Sequence, residues 1–286
     1  MPNVLLLNVS GASSKTRWQL LIDPPRPGAW NMAVDQVLLQ QAAAQGRCCC
    51  RFYQWSEPTV SLGYFQRIAD RREHTASMAC PIVRRLTGGG AIVHDVELTY
   101  SLAVPGGHPL AIRRNTLYQT VHGSLIRTLA ELGIDAALYK TQSVQKGGIA
   151  SEAQPPQAES HRQPFLCFQR RSVGDVLLDA AKIAGSAQRR RRGAVLQHGS
   201  VLLRRSRMAP EVLGIEELTK KKVALDDLLR VWRDMLGKCL AADWQEEPLR
   251  DQQRDEVAGL AENRYVSDRW NEHRDRPPQK YSFRLF

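Results

Sequence analysis

The sequence predicts an α+β fold in which mixed, largely antiparallel sheets are flanked by helices. Short segments with alternating apolar residues are separated by tight turns, as expected for strands joined by hairpins. Longer segments with apolar residues three or four positions apart lie between them, as expected for helices. This order differs from the regular strand–helix alternation of a doubly wound parallel sheet. With 286 residues, 43% of them hydrophobic, the chain can form a substantial core.

The first half of the chain alternates helix and strand patterns. One helix is predicted from Asn31, a good N-cap residue, to Gly46, and a second ends at Gly133 after an apolar face that begins at Leu117. Four strands are predicted here: residues 50–55, 59–62, 91–93 and 98–104. We expect the last two to form a hairpin around a turn at residues 94–97.

The second half begins with a segment of different composition. Residues 141–163 are rich in Gln, Ser, Gly, Pro and Ala without periodicity, which predicts a flexible insertion in a single domain over residues 16–275. Three strands follow at residues 175–178, 182–188 and 194–203. The first two are expected to pair across a short turn, and the last two across an arginine-rich turn that ends at Gly193. Two helices are predicted at residues 225–240 and, with a weaker pattern, about 248–263.

Composition narrows the class of protein. No run approaches the roughly 18 apolar residues of a membrane span, and the N-terminal residues lack the basic start of a signal peptide. The six cysteines form no Cys-x-x-Cys pair, so we expect no metal site, no secreted disulfide framework and a cytoplasmic protein. A net charge of +11 favours an acidic partner, but charge alone does not choose among nucleic acid, anionic membranes and acidic proteins.

Two segments contain residues that suit a ligand site. In Arg84-Arg85-Leu86-Thr87-Gly88-Gly89-Gly90, three consecutive glycines place no side chain between the backbone and a ligand. Together with two arginines, they suit an elongated ligand with a polar or acidic end, and a glycine-rich turn without a ligand is the alternative. The triplet opens a strand and lacks the Gly-x-Gly-x-x-Gly spacing, so it is a poor fit to a dinucleotide site.

The second segment is Lys182-Ile183-Ala184-Gly185-Ser186-Ala187-Gln188-Arg189. A lysine followed by small residues can reach a carbonyl or phosphate oxygen, and a surface lysine on a strand is the alternative. Together the two segments resemble the two signatures of the biotin/lipoate protein ligase and octanoyltransferase family. The resemblance extends over most of the chain, through residues 31–35, 55–66, 195–203 and 265–271.

This resemblance implies a catalytic domain of the biotin/lipoate ligase type, with a tunnel for an eight-carbon acyl chain. It implies that Lys182 contacts the acyl carbonyl. The residues expected to bind the substrate are Arg85, Thr87, Gly88, Gly89, Gly90, His94, Gly185, Ser186 and Ala187. Ligases of this family activate free lipoate with ATP and Mg as an acyl-adenylate. Transferases take octanoate from acyl carrier protein, hold it on a cysteine and pass it to a lysine of an acceptor domain.

Cys167 favours the transferase. It precedes Lys182 by 15 residues, in a Cys-Phe context similar to that of the nucleophile in cysteine-dependent transferases of the Gram-positive type. Only a thiolate attacks a thioester, and a nearby ammonium both favours the thiolate and polarises the carbonyl. We expect this cysteine and Lys182 to lie on neighbouring strands. A buried, unreactive cysteine is the alternative.

The resemblance, together with Cys167, therefore implies an octanoyltransferase that needs no cofactor. The expected partners are acyl carrier protein as donor and a lipoyl-accepting protein, such as the glycine-cleavage H protein, as acceptor. Arg84, Arg85 and the arginines at 189–192 are expected to form a basic rim for these acidic proteins. An ATP- and Mg-dependent lipoate ligase is one alternative, which the lack of an accessory domain after Phe286 disfavours. A non-catalytic basic binding module, for carrier proteins or nucleic acid, is another.

Overall fold

A computed structural model describes residues 15–113, 115–140 and 163–274. The predicted flexible insertion at 141–163 lies outside the described residues, apart from Gln163. The strands are β1 (Thr16–Ile22), β2 (Cys48–Tyr53), β3 (Thr59–Leu62), β4 (Ile82–Arg84), β5 (Ile92–His94), β6 (Glu97–Val104), β7 (Ala137–Leu138), β8 (Val176–Leu178), β9 (Ala181–Arg191), β10 (Ala194–Leu202) and β11 (Ala242–Glu246). The helices are α1 (Gly28–Gln45), α2 (Pro109–Ile112), α3 (Thr116–Glu131), α4 (Ile215–Thr219), α5 (Leu225–Leu240), α6 (Asp251–Leu260) and α7 (Asp268–His273).

Two sheets form the centre of the fold. The larger has eight strands in the order β11-β1-β2-β6-β10-β9-β8-β7, and the smaller has the order β4-β3-β5. In the large sheet, β1 pairs in parallel with β11 and β2, and all other neighbours are antiparallel. The small sheet has one parallel and one antiparallel pair. The predicted mixed, largely antiparallel α+β fold is therefore confirmed.

Helices cover both faces of the large sheet, so every residue of β6 and β10 is buried. Tyr100 and Leu102 of β6 pack in one layer with α3 and α5, whereas Ala103 packs in the opposite layer with α1 and α6. The alternating pattern of β6 is thus real, although it separates two helix layers rather than core from solvent. Among the described residues, no helix is long and apolar enough to cross a membrane.

The helix predictions hold with shifted ends. Helix α1 starts three residues before Asn31, whose side-chain amide instead donates hydrogen bonds to the carbonyl oxygens of Arg26 and Gln54. Gly46 ends this helix with a φ of 66°, a left-handed conformation that favours glycine. Helix α5 has the predicted bounds, and α6 continues as a π-helical turn over Ala261–Tyr265.

Of the three predicted strand pairs, one is wrong and two are confirmed. Strand β5 pairs with β3 in the small sheet, whereas β6 pairs with β2 and β10 in the large sheet. The turn between β5 and β6 therefore carries the chain from one sheet to the other. Strands β9 and β10 do pair across a turn at Arg192 and Gly193, which both have positive φ. Strands β8 and β9 also pair, as predicted.

Candidate active site

A cavity lies where the two sheets meet, with about 670 Å³ of empty space, part of it open to solvent. Ser61, Ile92 and His94 line it from the small sheet. The facing segments of β9 and β10 line it from the large sheet. Met32 of α1 and Trp55 add apolar surface. A cavity with largely apolar walls suits an acyl chain, because burying methylene groups against such walls is favourable.

The cavity brings together most of the residues that the sequence predicts for the site. Nine of the eleven line it: Arg85, Gly88, Gly89, His94, Cys167, Lys182, Gly185, Ser186 and Ala187. The other two, Thr87 and Gly90, are adjacent in sequence to lining residues but are absent from its wall. The placement is an observation, and the catalytic and binding roles of these residues stay predictions.

Cys167 is attached by backbone hydrogen bonds to the strand that follows the triple glycine. Its N–H donates to the carbonyl oxygen of Ala91 (2.7 Å), and the N–H of Ala91 donates to the carbonyl oxygen of Phe165 (3.0 Å). Cys167 then begins a 3₁₀ turn, Cys167–Gln169, rather than lying on a strand beside Lys182 as the sequence suggests. The thiol and the glycine segment are therefore fixed relative to each other.

The three glycines serve this junction in different ways. A Cβ atom at Gly90 would lie 2.9 Å from the backbone nitrogen of Cys167, so a side chain there would displace the thiol-bearing turn. Gly89 has a φ of +97°, and a Cβ there would lie 3.1 Å from an Arg85 guanidinium nitrogen and 3.9 Å from Cys167 Sγ. Gly88 meets only the ring of Phe65, at 3.7 Å.

Lys182 reaches the cavity because β9 carries a bulge. Opposite β8, Leu177 pairs with Lys182 and Val176 pairs with Ala184, which leaves Ile183 as an extra residue. Ile183 and Ala184 both pack in the core, whereas Lys182 lies on the opposite face of the strand and lines the cavity. Its Nζ lies 3.6 Å from Cys167 Sγ and 2.9 Å from Asp175 Oδ2.

Arg84 and Arg85 are buried, so the prediction that they form part of a basic rim is wrong. Arg84 donates to the carbonyl oxygens of Gly63 (2.9 Å) and Asn271 (2.8 Å). Arg85 donates to the carbonyl oxygens of Gly88 (2.9 Å) and Gly90 (2.6 Å), and thereby holds the glycine segment in its conformation. Burial lowers the pKa of each guanidinium to about 10, which leaves both charged at neutral pH.

Two histidines form hydrogen-bonded chains in the wall of the cavity. His94 Nε2 lies 2.8 Å from Ser61 Oγ, and His94 Nδ1 lies 2.5 Å from Glu97 Oε1, with Trp55 stacked on the ring. Burial lowers the pKa of His94. These contacts fix the imidazole as part of the wall.

His198 lies between Thr87 Oγ1 (2.6 Å from Nε2) and Asp35 Oδ2 (2.8 Å from Nδ1). Burial by itself raises the pKa of Asp35, but the hydrogen bond with His198 and the charge of Arg51 outweigh it and hold that pKa below its usual value. Thr87, predicted as a substrate contact, uses its hydroxyl in this chain.

Ser186 directs its hydroxyl to His122 on α3, with Oγ 2.8 Å from Nε2. The Nδ1–H of His122 donates to the carbonyl oxygen of Gly174 (2.5 Å), and burial lowers the pKa of this imidazole. Sequence reasoning missed His122, Asp175, Ser61 and Asp35 as neighbours of the site. Of these four residues, Asp175 has the clearest signal in the sequence, because it immediately precedes the strand that pairs with the strand of Lys182.

All six cysteines lie within the described residues and are unpaired, and Cys167 alone lines this cavity. Burial raises the pKa of Cys48 to about 11 and raises the pKa of Cys49, Cys50, Cys80 and Cys239 as well. Since only the thiolate is nucleophilic, burial makes these five poor nucleophiles. Across residues 15–113, 115–140 and 163–274, no group of three or more His, Cys, Asp or Glu residues is placed to hold a metal ion.

A family model described as "Lipoyl protein ligase A/B catalytic domain" matches residues 27–224. Octanoyltransferase LipM of Geobacillus kaustophilus is 31% identical to the chain, over 90% of this chain and 99% of that protein. Octanoyltransferase LipM of Bacillus subtilis is 30% identical, over 90% of this chain and 98% of that protein.

Solved structures show the same fold. A lipoate-protein ligase A bound with ATP superposes with a TM-score of 0.68 at 20% identity, over 90% of this chain and 99% of that one. A bipartite lipoate protein ligase from Thermoplasma acidophilum, described with its E2 lipoyl domain, gives a TM-score of 0.65 at 19% identity, over 91% and 97% of the two chains. At this level of identity the structural likeness establishes the fold and no more.

Proposed function

Because the chain belongs to the lipoyl protein ligase A/B catalytic-domain family, we propose that it is an octanoyltransferase of lipoate biosynthesis in which Cys167 carries the octanoyl group. Curated relatives about 30% identical over most of the chain have the octanoyltransferase activity. The observation that carries the proposal for Cys167 is its Sγ, 3.6 Å from the Lys182 ammonium in the acyl-sized cavity. The enzyme is an acyltransferase.

In the first step, the Cys167 thiolate attacks the carbonyl carbon of an octanoyl thioester. A bond forms between that carbon and Sγ, the bond to the donor sulfur breaks, and the donor leaves as a thiol after taking up a proton. The Lys182 ammonium faces the negative charge that develops on the carbonyl oxygen. Exchange between two thioesters is nearly isoenergetic, so the proposed reaction needs neither ATP nor a metal ion.

In the second step, the neutral amine of an acceptor lysine attacks the same carbon. The amide bond forms, the Cys167 thiolate leaves, and the amine loses its proton to solvent. Lys182 again faces the oxyanion and then the departing thiolate. The reaction thus leaves the octanoyl group on the acceptor and restores the free enzyme.

In this proposal the donor is acyl carrier protein and the acceptor is a lipoyl-accepting protein, for which we propose the glycine-cleavage H protein.

Three arginines beside the cavity, which we call the mouth arginines, can attract such acidic proteins: Arg170, Arg171 and Arg189. The Arg170 guanidinium lies beside Gly90, and Arg171 precedes the lining residue Ser172. Arg189 lies 5.0 Å over the ring of Tyr64. The exposed Phe65 adds apolar surface next to Gly88.

We propose that the reaction takes place in the cytoplasm. Acyl carrier protein as donor fits that compartment, and so does a cysteine that must stay reduced.

Intact mass spectrometry after incubation with octanoyl-acyl carrier protein, in the absence of ATP, tests the function. We expect a hydroxylamine-sensitive octanoyl adduct on the wild type that is absent from Cys167→Ala. Cys80→Ala, which removes a buried thiol outside the cavity, is the matched control and should keep the adduct.

The ligase alternative makes the opposite prediction in the same assay. If ATP is required for acyl transfer to the acceptor, and Cys167→Ala transfers as fast as the wild type, the transferase proposal is wrong. Failure of the wild type to transfer under both conditions would leave only a binding role.

A further inference from the structure

Lys182 contacts both the Cys167 sulfur and the Asp175 carboxylate, and the proposed chemistry uses only the first of these contacts. On one side its Nζ lies 3.6 Å from Cys167 Sγ, and on the other it forms an ion pair of 2.9 Å with Asp175 Oδ2. The side chains of Lys182 and Asp175 are 4% and 7% exposed, so water screens this ion pair little. The ring of Phe168, 5.4 Å from Nζ, covers the lysine further.

The Asp175 carboxylate is held in place by its surroundings. Its Oδ2 also accepts a hydrogen bond from the backbone N–H of Ser172 (2.7 Å). The backbone carbonyl of Asp175 accepts a hydrogen bond from Tyr139 (2.8 Å), which fixes the start of β8. Gly185 leaves room for the pair, because a Cβ atom there would lie 2.8 Å from Lys182 Nζ and 3.0 Å from Asp175 Oδ1. The pair is thus a constructed part of the cavity wall.

The charge around Lys182 changes during the reaction that we propose. In the free enzyme, two anions, the thiolate and Asp175, can compensate its ammonium. Once Cys167 carries the octanoyl group, its sulfur is neutral and Asp175 is the remaining anion on Nζ. A buried ammonium without a counter-ion is strongly disfavoured, and it would lose its proton or turn away.

We propose that Asp175 is the positioning residue for the second half-reaction: it keeps Lys182 charged and directed at the thioester carbonyl after Cys167 has been acylated. This inference rests on the proposed function. When the acceptor amine attacks, the C–N bond forms, the C–S bond breaks and the amine proton goes to solvent. Asp175 neither gains nor loses a proton and touches no reacting atom, and it acts through Lys182.

The variant Asp175→Asn separates the two half-reactions. The Asn side chain can accept a hydrogen bond from Nζ but provides no charge. Loading from octanoyl-carrier protein should stay within about threefold of the wild type, because the thiolate still compensates Lys182 at that stage. Discharge to the acceptor should slow at least about 30-fold, because the oxyanion loses a properly held cation. The acyl-enzyme should then accumulate during turnover.

Both rate constants can be measured in single turnovers by quenched intact mass spectrometry, first on the free enzyme and then on isolated acyl-enzyme mixed with a lipoyl-accepting domain. Asp179→Asn is the matched control, since it removes an exposed carboxylate four residues away in the turn before β9. It should change neither rate constant. Asp175→Glu should restore part of the discharge rate, and it replaces the Asn variant if that protein does not fold.

The outcomes distinguish this inference from the function itself. Suppose that the wild-type enzyme loads and discharges, and that Asp175→Asn slows both steps equally or slows neither. This result would overturn the role of Asp175 and leave the proposed function intact. An Asp175→Glu variant that discharges no faster than the Asn variant would also count against it, because the carboxylate is what the argument requires. Wild-type enzyme that takes up no octanoyl group would overturn the proposed function and this inference together.

Discussion

The missing side chain at Gly90 is required for the position of Cys167, the nucleophile of the reaction that we propose. The absent side chain at Gly90 makes room for the backbone of Cys167, at 2.9 Å from the place where a Cβ would lie. Backbone atoms cannot move aside as a flexible side chain can, and the Cys167 turn is tied by hydrogen bonds to Ala91, the residue that follows Gly90. Steric fit at Gly90 therefore controls the distance between Cys167 and Lys182.

The substitution Gly90→Ala tests this reasoning. The added methyl group should push the Cys167 turn away from Lys182 and lower the rate of octanoyl loading at least about 10-fold, since small misplacements of reacting groups have large effects on rate. Gly107→Ala is the control, because a Cβ there meets nothing within 4 Å and its backbone φ is not positive. The measurement is the rate of adduct formation by intact mass spectrometry. Loading at the wild-type rate in Gly90→Ala would refute the steric argument.

Individual residues also show what the sequence could and could not reveal about the site. Cys167 and Lys182 were identifiable because each stands in a motif, and nothing in their spacing gave the distance between them. The sequence predicts Arg84 and Arg85 at the surface because arginine is rarely fully buried, yet both are buried here and backbone carbonyl groups accept their hydrogen bonds. Asp175 has no motif of its own, and its importance follows only from the contact with Lys182.

At the level of elements, local pattern predicted most strands and helices and the pairing of β9 with β8 and β10, but not the partners of β5 and β6. The turn between β5 and β6 has the same sequence pattern whether the strands pair with each other or separate into two sheets. The separation is decided by β3 on one side and by β2 and β10 on the other, which are distant in sequence. The parallel pair of β1 and β11 joins Thr16 to Ala242, and no local signal could indicate it. The sequence also gives no signal for the bulge in β9 that directs Lys182 into the cavity.

Helix α3 is joined to the sheet through His122, and this junction should make stability depend on pH. His122 contacts the Gly174 carbonyl (2.5 Å), Tyr100 Oη (3.1 Å) and Ser186 Oγ (2.8 Å). Burial lowers its pKa from the ordinary 6.5, so the folded protein binds a proton there less readily than the unfolded chain. The stabilisation by neutral His122 is thus complete above about pH 6.5 and is lost as the pH falls below that value.

The free energy of unfolding by urea should therefore decrease between about pH 7.5 and about pH 5.5, by up to about 1.4 kcal/mol per pH unit below 6.5 for this one group. In His122→Gln, which cannot titrate, the decrease should be smaller. It should not vanish, because burial also lowers the pKa of His94 and His108. An unchanged slope in His122→Gln would show that the α3 junction does not contribute to the acid sensitivity.

At the scale of the whole molecule, the net charge of +11 should act on the encounter with protein partners and not on the chemistry. The mouth arginines lie beside the cavity, whereas the reacting groups are inside it and largely shielded from salt. Raising the salt concentration from about 0.05 M to about 0.5 M should reduce the second-order rate of loading from octanoyl-acyl carrier protein by about 10-fold. Loading from a small uncharged octanoyl thioester should change by less than about twofold.

Charge variants make this argument specific to the mouth of the cavity. Arg189→Gln and Arg230→Gln each remove one positive charge, but of the two residues only Arg189 lies near the glycine segment. Its guanidinium lies over the ring of Tyr64, and the Tyr64 N–H donates to the Thr87 carbonyl. Arg230 is exposed on α5. At low salt, Arg189→Gln should slow loading from the carrier protein about two- to fivefold, and Arg230→Gln should have little effect. Equal effects of the two variants would mean that the mouth arginines have no special role. Equal salt dependence for the protein donor and the small donor would mean that charge does not guide the acidic partner to Cys167.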